Sequence, residues 1–188
     1  MHIDVFSDAG TKRNVTSAGH HNVFVSGSVL YFPETSSHEL VTFPRMSSRV
    51  NNTTLLELRG VLNALMFVVN HYNSITSLSV ACDNKAVMDV LAKTASFKDE
   101  CNQQMIDYIN RTIEKHNISN VTFKHLQEHN SNEIRMCDWL CKMAKHNTPI
   151  VSQRKVTCPP GCEQLLQSLH HYGENANYLK KKHVELFE

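Results

Sequence analysis

Apolar and polar residues alternate through residues 2–7, with Ile3, Val5 and Ser7 on one side, and the run meets Asp-Ala-Gly. This period of two predicts a β-strand that ends at Asp8 in a turn. The run NVFVSGSVLYF, residues 22–32, is rich in β-branched and aromatic residues and predicts a second strand. PETSS reads as a turn, and HELVTFPRM, residues 38–46, as a third strand. Pro44 assigns that strand to an edge, because proline cannot donate to a ladder. Three strands on short loops predict an antiparallel meander.

The period then changes. Thr54-x-x-Glu57 opens a helix that runs to about Tyr72, with Leu55, Leu58, Leu62, Leu65 and Val69 along one face. SLSVAC, residues 77–82, reads as a short buried strand. Helices follow from Lys85 to about Lys93 and from Lys98 to about His116, the latter with Met105, Ile106, Ile109 and Ile113 as its apolar stripe. VTFKHL, residues 121–126, is a fifth strand, and Glu133 to about Lys145 a last helix. The order β-β-β-α-β-α-α-β-α predicts an α/β fold. Its five-stranded mixed sheet has three antiparallel strands, then parallel strands joined by right-handed crossovers, and is flanked by helices. After Asn147 the chain turns linker-like in PIVSQRKVTCPPGC, then offers two short amphipathic helices in CEQLLQSLHHY and NANYLKKKHVELFE. Residues 1–146 are therefore assigned to one domain and 147–188 to a C-terminal extension that could meet a protein partner.

A chain of 188 residues suits one domain and an appendage. Its formal net charge of +1 argues against a strongly basic nucleic-acid clamp, so such a partner would need a local patch or bound cations. No stretch is long and apolar enough to span a membrane. MHIDVFSDAG lacks the basic and apolar regions of a secretory signal, so an intracellular protein is expected. Its six cysteines are then expected to be reduced thiols. Cys158-Pro-Pro-Gly-Cys162 with His170 and His171 is a zinc candidate whose spacing fits no standard finger; a reduced turn is the plainer reading. No phosphate-binding or dinucleotide glycine loop and no nucleophile triad is present.

Four carboxylates change the picture. Asp8 closes the first strand and Asp83 follows the fourth; if those strands are parallel neighbours, the two emerge from one sheet end about 4.8 Å apart. Glu57 lies in the first turn of the first helix and Asp138 on the last helix, and either could reach the same point. Each also has a plainer role: Asp8 a turn residue, Glu57 a partner in a Thr54 capping box, Asp83 a helix cap, Asp138 a solvated helix residue. Four converging carboxylates repel and raise one another's pKa unless cations compensate. Mg²⁺ or Mn²⁺ takes oxygen ligands, and a pair of such ions about 3.5–4 Å apart is a standard device for phosphodiester hydrolysis.

Ser7-Asp8-Ala9-Gly10, Thr53-Thr54-Leu55-Leu56-Glu57-Leu58, Cys82-Asp83-Asn84 and the run from His129 to Asp138-Trp-Leu stand in the order of the motifs of type 1 ribonuclease H, which residues 1–145 resemble. The resemblance implies a ribonuclease H-like fold and cleavage of the RNA strand of RNA–DNA hybrids with two Mg²⁺ or Mn²⁺ ions. It implies Asp8, Glu57, Asp83 and Asp138 as metal ligands and His129 as the mobile loop histidine of product release or proton transfer. His125, on the preceding strand, reads as structural. The chain departs from the family pattern at Ala9, which replaces a glycine, and at Thr53, which stands where the family often has asparagine. It also lacks the basic handle after the second helix. Selectivity for a hybrid needs contacts that sense 2′-hydroxyls. The candidates are the backbone amides of Gly10, Thr11 and Lys12, the hydroxyls of Thr53 and Thr54, Asn84 and Gln127. Lys12, Arg13, Lys85 and Lys124 are candidate phosphate contacts. The alternatives are a nuclease for structured DNA such as junctions, and a catalytically silent nucleic-acid-binding or scaffold module acting through residues 147–188.

Overall fold

The computed structural model describes residues 1–16, 19–48, 52–127, 130–145 and 154–157, with side chains described in 1–11, 24–43, 52–127 and 130–142. The elements are β1 (His2–Thr16), β2 (Gly19–Phe32), β3 (Ser37–Ser48), α1 (Thr53–His71), β4 (Ser77–Cys82), α2 (Lys85–Leu91), α3 (Glu100–Lys115), β5 (Asn120–His125), α4 (Asn132–Lys145) and β6 (Arg154–Thr157). The strands lie in the order β5-β4-β1-β2-β3-β6. β1, β2 and β3 form the antiparallel meander, and β4 and β5 run parallel to β1. The expected five-stranded mixed sheet is present. The short β6, which falls within the segment read as a linker, adds to β3 from Ser37↔Thr157 to Leu40↔Arg154. The two helices expected in the extension lie outside the described residues.

β1 differs from its sequence reading. It does not end in a turn at Asp8 but runs on to Thr16, because β2 pairs with it residue for residue from Asp4↔Tyr31 to Thr16↔Gly19. A ladder that satisfies every second N–H and C=O overrides the local turn preference of Asp-Ala-Gly. β4 pairs with β1 only from His2↔Ser77 to Phe6↔Ala81. From Asp8 onward β1 keeps one strand neighbour, so Asp8 is mid-strand yet sits where one side of the sheet opens. β3 is likewise not a simple edge, since β6 covers its first residues. Pro44 lies beyond that cover, in the register shift where Phe24 opposes Met46 and Ser26 opposes Phe43. A bulge tolerates a residue that has no N–H to give.

α1 begins at Thr53 because the Asn52 side chain accepts from the Leu55 N–H at 3.2 Å. Asn52 is thus the cap, and Glu57 is released from the capping box that Thr54 suggested. The apolar face of α1 lies on β1 and β2. Leu58, Val61, Leu65 and Val68 form one buried cluster with Ile3, Val5, Leu30, Val80 and Ile109. Each fully buried leucine there contributes about 2 kcal/mol.

Two glycines set how closely the helices approach. A Cβ on Gly60 of α1 would lie 3.0 Å from Ser7 Oγ and 3.1 Å from Ala9 Cβ. On the opposite sheet face, a Cβ on Gly27 would lie 2.6 Å from Leu140 Cβ and 3.0 Å from the Cys137 carbonyl of α4. Gly27 is the β2 partner of Asp8. Both helices therefore press on the sheet at the level of Asp8. Gly27→Ala forces α4 outward and is expected to destabilise the protein by about 1–3 kcal/mol in urea unfolding, the usual scale of overpacking. Unchanged stability would mean that α4 yields freely at this contact.

Candidate metal centre

The β1–β4 register carried two residues past Phe6↔Ala81 puts Asp8 level with Asp83. Glu57 arrives from the first turns of α1, brought down by the close approach at Gly60. One carboxylate oxygen from each of Asp8, Glu57 and Asp83 lies within 4.8 Å of the others. Asp8 and Glu57 are buried and Asp83 is exposed. Asp138 is not in this trio: its carboxylate is paired with Lys142, one helical turn away on α4. Its charge nevertheless bears on both aspartates.

Burial raises the Asp8 carboxyl to about 7, and the charges of Asp83 and then Asp138 push the same way. Hydrogen bonds from the Ala9 N–H and the Cys141 thiol oppose the shift without cancelling it. The same thiol contacts the Asp8 carbonyl oxygen at 3.2 Å. Asp83 is also raised, first by burial; its own N–H, then the neighbouring His125, act against this. Burial pushes Cys82, Cys137 and Cys141 upward too, so these thiols stay protonated. The trio is thus a compact set of hard oxygen donors whose charge is under-compensated. Such a set, all carboxylate oxygens and no sulfur, fits Mg²⁺ or Mn²⁺.

The other predicted residues divide. Gly10 and Thr11 follow Asp8 on β1; Lys12 and Arg13 continue that strand, their side chains outside the described residues. Thr53 and Thr54 open α1. Asn84 is the N-cap of α2, its side chain accepting from the Val87 N–H at 3.2 Å. Lys85 is exposed and paired with Asp89. Lys124 is exposed on β5, and Gln127 is exposed just after it, accepting from the Asn130 amide at 3.2 Å. His129 and the zinc candidates Cys158, Cys162, His170 and His171 lie outside the described residues. Three positions were missed by sequence reasoning. Gly27 and Gly60 had a signal, a glycine interrupting a strand pattern and a helix pattern. His125 was set aside as structural, yet its Nε2 lies 3.1 Å from the Asp83 carbonyl oxygen.

No family model matches this chain, and no curated protein sequence matches it. Solved structures do. The N-terminal ribonuclease H domain of a Mycobacterium tuberculosis protein superposes with a TM-score of 0.56 at 14% identity, over 79% of this chain and 99% of that one. Ribonuclease H1 from the archaeon Halobacterium salinarum superposes with a TM-score of 0.59 at 12% identity, over 78% and 99%. LC9-RNase H1, a type 1 enzyme with the type 2 active-site motif, gives 0.56 at 12% identity, over 87% and 80%. At this identity the likeness establishes the fold: the chain has the ribonuclease H fold.

Proposed function

We propose that this chain is a metal-dependent endonuclease that cleaves the RNA strand of RNA–DNA hybrids, using two Mg²⁺ or Mn²⁺ ions. The observation that carries the reading is the trio of Asp8, Glu57 and Asp83, drawn from β1, α1 and β4, with ligand oxygens within 4.8 Å. It lies at the carboxyl end of β4 on a ribonuclease H fold, where open α/β sheets form their sites. The ions would activate water and neutralise the leaving 3′-oxygen.

The chain's own residues do the rest. Asp8, Glu57 and Asp83 would hold the cations. Asp138, paired with Lys142 on α4, would be a fourth ligand. The backbone at Gly10, Thr11 and Lys12, which follow Asp8 on β1, and the hydroxyls of Thr53 and Thr54, which open α1, would contact the hybrid. Asn84 contributes while remaining a cap. Lys85, Lys124 and Gln127 extend the contact along the backbone, and His129 assists proton transfer or product release.

A second reading, a nuclease for structured DNA such as junctions, would use the same trio of carboxylates. Incubation with labelled hybrid, duplex RNA, duplex DNA and a four-way junction, with Mg²⁺, Mn²⁺ or a chelator, separates the readings. Cleavage of the RNA strand of the hybrid alone, lost with chelator, is the expected result. Junction cleavage without hybrid cleavage transfers the assignment to structured DNA. Binding without any cleavage makes the chain a silent module.

A further inference from the structure

Asp83 differs from its two companions. Its side chain is exposed, so packing does not fix it as it fixes Asp8 and Glu57. Its carboxylate accepts from its own backbone N–H, so its direction follows that of its own backbone. This backbone lies where β4 has ended and α2 has not begun. Beside the Asn84 cap of α2, two hydrogen bonds reach it from the end of β5 and the residue that follows. The Leu126 N–H donates to the Cys82 carbonyl at 3.1 Å. His125 Nε2 lies 3.1 Å from the Asp83 carbonyl oxygen; a carbonyl only accepts, so Nε2 carries the hydrogen. His125 is the last residue of β5, paired with Cys82 and half-buried on the strand face it shares with Val121 and Phe123.

We propose that His125 is a positioning residue: by holding the Asp83 carbonyl it aims the Asp83 carboxylate at Asp8 and Glu57 and so sets the affinity of the trio for a hard divalent cation. The proposal rests on the reading of the trio as a metal centre. It gives His125 a role separate from the one proposed for His129. Groups that orient a ligand without touching the ion commonly change metal affinity about 10–100-fold when removed.

The test is Mn²⁺ binding to the full chain, read from the resonance signal of free Mn²⁺, with melting temperature measured alongside. The proteins compared are wild type, His125→Ala, His125→Gln and Asp83→Asn. The glutamine amide nitrogen has the reach of Nε2 and can donate to the same carbonyl. The expected result is Mn²⁺ affinity about tenfold or more weaker in His125→Ala and close to wild type in His125→Gln. A folded His125→Ala with wild-type affinity overturns the proposal. So does His125→Gln if it folds and is as weak as Asp83→Asn, because the donated hydrogen bond would then not be what matters. Should Asp83→Asn itself bind Mn²⁺ like wild type, the metal centre falls and the proposal with it. That outcome is distinct from one in which Asp83→Asn weakens binding and His125→Ala does not.

Discussion

Asp83→Asn removes cleavage: with hybrid and saturating Mg²⁺, single-turnover cleavage is expected to fall by about 10³-fold or more, the scale of losing a central electrostatic group. Asp8→Asn is expected to do the same. An amide keeps the shape of the carboxylate but loses its charge and replaces one lone-pair oxygen with a donor. Among the described residues three such groups lie within 4.8 Å of one another, so losing one removes a large share of the charge that a cation would meet there. The variants should fold, since removing one of several crowded carboxylates relieves repulsion. Circular dichroism and a thermal melt check this beside the cleavage assay. Full activity of Asp83→Asn in Mg²⁺ refutes the ligand assignment.

Without divalent cations, the protein loses stability as pH rises towards neutrality and past it. The carboxyl of Asp8 moves from 3.8 to about 7 on folding, so the native state binds its proton more tightly than the unfolded chain. The stability this confers is present in full below 3.8 and is lost as pH rises through about 7. At about 1.4 kcal/mol per pKa unit the loss has an upper bound of about 4 kcal/mol. The raised Asp83 adds in the same direction. Glu133 acts oppositely: its hydrogen bond to His38 lowers its pKa, so its contribution appears above 4.5 and is lost as pH falls through the lower folded value. Urea unfolding between about pH 5.5 and about pH 8 keeps mainly to the Asp8 window. In chelator, stability should fall across that window. Mn²⁺ should restore it at the alkaline end, and Asp8→Asn should flatten the dependence. A wild-type protein whose stability in chelator is level from acid to alkaline would contradict the raised carboxyl inferred for the buried Asp8.

Much of the architecture was legible because hydrophobic period reports on which face is buried. The six residues of β4 follow directly from it; on α1 the expected stripe holds at Leu58 and Leu65, while Leu55, Leu62 and Val69 are only partly buried and Val61, Ala64 and Val68 complete the buried face. The order of the carboxylates was legible as well, since each stands beside a recognisable strand or helix. What sequence could not supply was competition between local and distant partners. Asp-Ala-Gly has turn chemistry, and only the length of β2 decides that it stays extended. Asn52 rather than Thr54 caps α1, which depends on which side chain reaches the Leu55 N–H. The pairing of Asp138 with Lys142 had the readable i,i+4 spacing, but that spacing alone does not say whether a carboxylate faces an ammonium or a cleft. Gly27 and Gly60 were passed over, since a glycine inside a strand or helix ordinarily only weakens it. Their purpose appears only when α4 and α1 are seen lying on them.

The asymmetry of β1 has a kinetic consequence. From Asp4 to Phe6 the strand is laddered on both sides, to β2 and to β4; from Asp8 onward only β2 remains. Deuterium exchange should therefore divide a single continuous strand into a slow half and a fast half. The carboxylates stand on that seam, where the Ala9 N–H is already turned to the Asp8 carboxylate. A cation seated there would tie the loose half to the rigid one, and slower exchange past Asp8 would record its arrival before any substrate is cut.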